Sequence, residues 1–137
     1  MSFEYDSSTK ERSAIVLVGG GGHCEVVIDI IREGNLFDEI LISDLPENLG
    51  KYILDVRIDY TDDQLEELFN AGVKHAFITV GKVSLDDRRK QLYEKLKNIG
   101  FKIPTIISSS AHVSKYAIIG EGTLVGKGAI VNAGTTV

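Results

Sequence analysis

Apolar positions along this 137-residue chain follow two different rules. From Ile15 to Ile107, short continuous apolar runs alternate with stretches whose apolar residues recur at helical spacing. Ile15-Val16-Leu17-Val18 closes at Gly19 and fits a strand buried on both faces of a parallel sheet. Val26, Val27, Ile30 and Ile31 then predict one buried helix face, with Gly34-Asn35 as its stop. Glu39 to Ser43 predicts a second strand, closing at Asp44. Strand, helix and strand joined this tightly make a βαβ unit, which is right-handed. Between residues 45 and 60, Pro46, Gly50 and Asp55-Val56-Arg57-Ile58-Asp59 fit either a loop or a weak edge strand. Thr61 and Gln64 form a capping box ahead of Leu65, Leu68 and Phe69, and Gly72 ends that helix. His75 to Val80 predicts another buried strand, ending at Gly81. Ser84 then caps a helix that turns Leu85, Leu92, Tyr93, Leu96 and Ile99 to the sheet, with Gly100 as its stop. Phe101 to Ile107 reads as a last strand, interrupted at Pro104.

The second rule has a period of six. Val113, Ile119, Val125, Val131 and Val137 form an aliphatic column, and Ala117, Thr123, Ala129 and Thr135 form a column of small residues. Ser114, Gly120, Gly126 and Asn132, each following an aliphatic, form a third column of turn-forming or small residues. An inward aliphatic, a small residue on a crowded wall and a corner residue, repeated every six positions, predict a parallel β-helix.

Charge and composition remove whole classes of function. Fifteen Lys and Arg against twenty Asp and Glu leave a net charge of -5. No basic run exceeds Arg88-Arg89-Lys90, so nothing marks the chain for nucleic acid or an anionic membrane. No apolar stretch nears the ~20 residues a membrane span needs, and the polar tail, residues 1–14, lacks the apolar core of a secretion signal. A lone Cys24 offers neither an internal disulfide nor a zinc spacing, so a cytoplasmic, metal-free protein is expected.

Candidate chemistry concentrates in Gly19-Gly20-Gly21-Gly22-His23, between a buried strand and a helix start. Glycines there let backbone approach a ligand, and free N–H groups at a helix start favour an anion. Asp44 ends the second strand, where dinucleotide-binding domains place the acid that holds a ribose. Cys24 stands where the third glycine of that fingerprint belongs, so the pattern suits a nucleotide or sugar nucleotide better than a dinucleotide. His23 either donates to a phosphate or sugar hydroxyl or caps the loop locally. Arg89 either reaches the same crevice or belongs to a solvated face. Cys24, His75 and His112 read as structural.

Residues 18–27 (VGGGGHCEVV), 41–44 (LISD), 78–82 (ITVGK) and 88–92 (RRKQL), followed by the hexapeptides, carry a resemblance. Over residues 15–137 the chain resembles sugar acetyltransferases of the sialic-acid O-acetyltransferase and bacillosamine-type (UDP-4-amino-sugar) N-acetyltransferase family. That resemblance implies an α/β, Rossmann-like sugar-nucleotide domain over 15–107 and the first coils of a left-handed parallel β-helix over 108–137. It further implies acetyl-CoA as co-substrate, a UDP- or CMP-type sugar nucleotide as partner, and a homotrimer. Gly21, Gly22, His23, Ser43, Asp44 and Gly81 match the family's nucleotide-contacting positions. The family usually has two acids where Ser43-Asp44 stands, which leaves the nucleobase open, and His-Pro where Ser108-Ser109 stands. Its catalytic His falls about one coil past Val131-Asn132-Ala133. The base is therefore expected beyond Val137, with the chain cut inside its β-helix and inactive alone. Two other readings stay open: a fragment of a nicotinamide-dependent oxidoreductase, and a non-catalytic nucleotide-sugar binding module.

Overall fold

The computed structural model describes residues 13–80 and 86–137. Ser84, Leu85 and residues 1–12 of the polar tail lie outside the described residues. Strand β1 (Ala14–Val18) is buried along its whole length. Its alternate side chains serve two apolar clusters: Ala14, Val16 and Val18 enter one, Ile15 and Leu17 the other. Helix α1 (Gly22–Gly34) covers the second cluster with Cys24, Val27, Ile28, Ile30 and Ile31. Val26, expected on that face, is half exposed. Positions 24, 27, 28 and 31 share one side of a helix, and Val26 falls off it. Asn35, in the left-handed region at φ 49°, caps the helix end.

Strand β2 (Glu39–Asp44) pairs parallel with β1, as the βαβ reading requires. The stretch that could be loop or edge strand is both. A 3-10 turn at Pro46–Asn48 leads to a short antiparallel edge strand β3 (Tyr52–Ile53), then to β4 (Val56–Thr61), which lies inside the sheet parallel to β2. Thr61 and Gln64 make the expected capping box, Gln64 Oε1 accepting the Thr61 N–H at 3.0 Å. A 3-10 turn opens the segment, and helix α2 (Leu65–Asn70) follows. Strand β5 (His75–Ile78) then pairs with the free side of β1, giving the order β3-β4-β2-β1-β5.

Helix α3 (Asp86–Ile99) seats Leu92 and Leu96 in the first cluster beside Leu65 and Leu68 of α2. Tyr93, expected against the sheet, is instead part-exposed, and its hydroxyl donates to Glu121. Residues 89, 93 and 97 recur every four positions and so form a stripe distinct from the Leu92/Leu96 face.

Phe101 to Ile107 is not one strand. Lys102 bridges to His75, Phe101 and Ile103 pack into the first cluster, and after Pro104 the chain leaves the sheet. There β6 (Ile106–Ile107) pairs parallel with β8 (Leu124–Val125), and β7 (His112–Val113) with β9 (Ile130–Val131). Ile118 also bridges Thr136, so all three pairings join residues 18 apart, the length of three six-residue sides. Turns run from Gly126 to Ala129 and from Asn132 to Thr135. Gly128 and Gly134 hold positive φ (71° and 83°) at the third turn position, a conformation glycine adopts without strain. Gly126 and Asn132 of the corner column therefore mark where these two turns begin and Gly128 and Gly134 make the bend, whereas the turn from Ser114 to Ala117 has Tyr116 in that place.

The coil is tied to the sheet domain on two sides. Ile106 joins the cluster under α1, and Lys127 pairs with Asp29 at 2.5 Å and with Glu33, both on α1. Glu121 receives Tyr93 and, at 3.1 Å, Lys97 from α3. Among the described residues no helix is long and apolar enough to cross a membrane.

Candidate functional site

Strands β2 and β5 flank β1, so the chain leaves β1 toward one face of the sheet and reaches β5 from the other. A crevice opens at the carboxyl ends of strands where connections diverge this way, and such crevices hold ligands in α/β sheets. The glycine loop fills its floor, and its glycines divide into two pairs. Gly19 has φ +118°, and a Cβ there would lie 2.7 Å from Val80 Cγ1 and 2.8 Å from the Val80 nitrogen. Its N–H donates to the Ser43 carbonyl at 2.9 Å, and its carbonyl accepts the buried Thr79 hydroxyl. A Cβ on Gly20 would meet Ile58 Cδ1 at 2.6 Å, and the Gly20 N–H donates to Asp44 Oδ2 at 3.0 Å. Gly19 is thus demanded by the fold, while a side chain on Gly20 would have to displace the buried tip of Ile58.

Gly21 and Gly22 meet no such constraint. Both are exposed, and a Cβ on either would meet nothing within 4 Å. Gly21 is extended (φ -136°), open to any residue, and Gly22 begins α1. Their bare backbone faces open space where the first helical N–H groups lack intrahelical partners.

His23, Phe77, Val80, Arg89 and, from the coil, Gly122, Thr123 and Leu124 line a cleft of about 570 Å³. The structure thus places Arg89, part-buried, on the wall of this cleft beside His23. Burial first, and then the Arg89 cation, lowers the His23 pKa below its ordinary value, so the imidazole is neutral at neutral pH. His75 is likewise lowered by burial and by Lys102, but it packs on Phe37 with ring centroids 5.2 Å apart, away from the cleft. Both folded values lie below the unfolded one of about 6.5. On acidification the unfolded chain therefore binds protons first. The stability these two histidines contribute is complete above about pH 6.5 and is lost as pH falls through the folded values. Urea unfolding midpoints are expected to fall between pH 7 and pH 5, and less steeply in His75→Gln; a midpoint that rises toward pH 5 contradicts the assignment.

Asp44 is 4% exposed and internally engaged. Oδ2 accepts Gly20 N–H and Asn48 Nδ2, each at 3.0 Å, while Oδ1 accepts the Leu45 N–H at 2.8 Å and faces Arg88 Nη2 at 3.6 Å. Its first duty is to clamp the glycine loop. Ser43 is fully buried, and its hydroxyl donates to Asp62 at 3.0 Å, so its link to the crevice runs through its carbonyl and Gly19. Gly81 lies outside the described residues. Cys24 is buried with its thiol pushed up to about 12, chiefly by burial, with Asp44 adding and a Thr79 hydrogen bond opposing. That is an inert packing thiol.

Sequence reasoning missed Asn48, Asp62, Arg88 and the coil wall. Only Arg88, next to Arg89, carried any signal. Among the described residues no group of three or more His, Cys, Asp or Glu could hold a metal ion.

Residues 14–96 match the family model of the PglD N-terminal domain. The chain belongs to the PglD N-terminal domain family. A variant of perosamine N-acetyltransferase from Caulobacter crescentus, solved with CoA and GDP-perosamine, is 31% identical with a TM-score of 0.80. That match covers 91% of this chain and 57% of the other. The acetyltransferase domain of PglB from Neisseria gonorrhoeae FA1090, solved with acetyl coenzyme A, is 28% identical with a TM-score of 0.75, covering 91% of this chain and 58% of that one. The chain therefore spans a little over half the length of these PglD-type acetyltransferases. RSP, a Rex-family repressor, shares the fold alone, at 16% identity and a TM-score of 0.56 over 92% of this chain and 53% of that one. No curated protein matches the chain.

Proposed function

We propose that this chain is the sugar-nucleotide-binding part of an acetyl-CoA-dependent sugar N- or O-acetyltransferase. The observation that carries the reading is the pair Gly21 and Gly22, whose bare backbone opens onto space beside a cleft lined by His23 and Arg89. A diphosphate on these N–H groups, with the Arg89 guanidinium beside it, satisfies both the backbone donors and the cation. The nucleoside then extends over the Asp44 side, and the sugar over the β5 side against Gly122, Thr123 and Leu124. Gly81 belongs to the same nucleotide set on the family pattern.

In this reading the division is a polar tail over 1–14, the nucleotide domain over 15–107 and left-handed coils over 108–137. The pairing of Ile106–Ile107 with Leu124–Val125 brings the first coil side slightly ahead of that boundary. The sugar's amine or hydroxyl attacks the thioester carbonyl of acetyl-CoA, the family's histidine base takes its proton, and CoA leaves as the thiol. The full-length enzyme is in this reading a cytoplasmic homotrimer that takes acetyl-CoA as co-substrate.

The nucleotide is of UDP or CMP type on the family pattern, whereas the Caulobacter relative carries a GDP-sugar. Calorimetry with UDP-N-acetylglucosamine, CMP-sialic acid, GDP-mannose and NADH separates the readings. A nucleotide sugar is expected to bind and NADH is not; binding of NADH alone selects the oxidoreductase alternative.

A further inference from the structure

Asp62, outside the cleft, grips helix α3 at two points two turns apart. Its Oδ2 accepts from Arg88 Nη2 at 3.4 Å, and its backbone carbonyl accepts from Lys95 Nζ at 2.8 Å. Residues seven apart share a helix face, so Arg88 and Lys95 bind the same side of α3 to the turn that follows β4. Through Oδ1, Asp62 also accepts the buried Ser43 hydroxyl at 3.0 Å. Arg88 in turn faces Asp44 at 3.6 Å, and Asp44 holds the Gly20 N–H. One carboxylate therefore connects α3 to the end of β2, whose Ser43 carbonyl and Asp44 carboxylate hold the glycine loop that leaves β1. Arg89 follows Arg88, about 100° further round the helix, on the stripe with Tyr93 and Lys97 that faces the coil. A helix pinned along one face fixes the rotation and height of the residues beside it.

We infer that Asp62 is a positioning residue for ligand binding: by holding Arg88 and Lys95 it sets Arg89 at the height of the Gly21-Gly22 backbone. Asp62 lines no part of the cleft and would act on the ligand only through Arg89. The inference rests on the proposed sugar-nucleotide site.

The test is a double-mutant cycle on the chain, read by calorimetry with UDP and GDP as probes. Asp62→Asn keeps the shape and removes the charge, and is expected to weaken binding about fivefold. In an Arg89→Gln background the same change is expected to cost less than twofold, because the group it positions is gone. Lys95→Met, which removes one grip and leaves the Asp62 carboxylate in place, is expected to show a smaller loss with the same dependence on Arg89. Thermal melts of each variant verify that the protein measured is folded. Equal losses in both backgrounds, or no loss in either single variant while the wild type binds, overturn the positioning role. If the wild type binds neither probe, the failure lies with the sugar-nucleotide reading.

Discussion

Gly19→Ala is expected to destabilise the protein by roughly 3 kcal/mol, the largest effect of any single methyl group in the glycine loop. Two costs add. At φ +118° the backbone lies where L-residues are strained, which costs about 1–2 kcal/mol. The new methyl would also sit 2.7 Å from Val80 Cγ1 and 2.8 Å from the Val80 nitrogen. A side chain can swing away, but the Val80 backbone is held by the neighbouring bond from Thr79 N–H to the Val18 carbonyl at 2.9 Å. Overpacking against a neighbour that cannot move costs about a further 1–3 kcal/mol. For a domain of this size 1 kcal/mol shifts the melting temperature by roughly 4–8 °C, so a loss of about 15 °C is expected by circular dichroism. A melt within 3 °C of wild type (~3 °C being less than 1 kcal/mol) would show that β1 and β5 do not meet so closely.

Gly21→Val should do the reverse, sparing the fold and damaging the site. The position is extended, which a β-branched residue favours, and a Cβ there touches nothing. Stability is expected to fall by only about 1 kcal/mol, the cost of a non-capping residue at the N-cap of α1. Binding of a nucleotide sugar is expected to fall about tenfold or more, because the branched side chain fills the space through which backbone meets ligand. A melt and a titration on the same sample decide it. A variant that loses stability but keeps its affinity would make Gly21 a structural glycine and remove the main support for the proposed site. The opposite signatures of Gly19 and Gly21, two residues apart, form the sharpest available test of how this loop works.

The elements that obey local rules were legible in the chain. Continuous apolar runs mark β1, β2 and β5, Thr61 and Gln64 mark their capping box, and the period of six is compatible with the pairing of residues 18 apart in the C-terminal segment. Strand β4 was harder to read, because Val56, Ile58 and Tyr60 alternate with Arg57 and Asp59 as they would on an edge. Only the cover supplied by β3 and β2 makes it interior. Tyr93 faces Glu121 rather than the sheet, because helical spacing does not distinguish a face packed on a sheet from one packed on the C-terminal segment.

Within the site the division is the same. Four glycines before a helix announce a place where backbone comes close to something, since glycine alone permits that approach. What each glycine approaches depends on residues far along the chain: Val80 for Gly19, Ile58 and Asp44 for Gly20, and open space for Gly21 and Gly22. Local pattern was enough to place β1, α1, β2, the Thr61–Gln64 capping box, β5 and the glycine loop, because these follow from backbone sterics and side-chain period over a few residues. Tertiary structure alone decided that Asp44 clamps the loop, that Arg88 joins Asp62 while Arg89 turns to the cleft, and that the coil forms a wall. Polar groups take the partners that folding brings within hydrogen-bond reach, and no local pattern encodes which distant partners those will be.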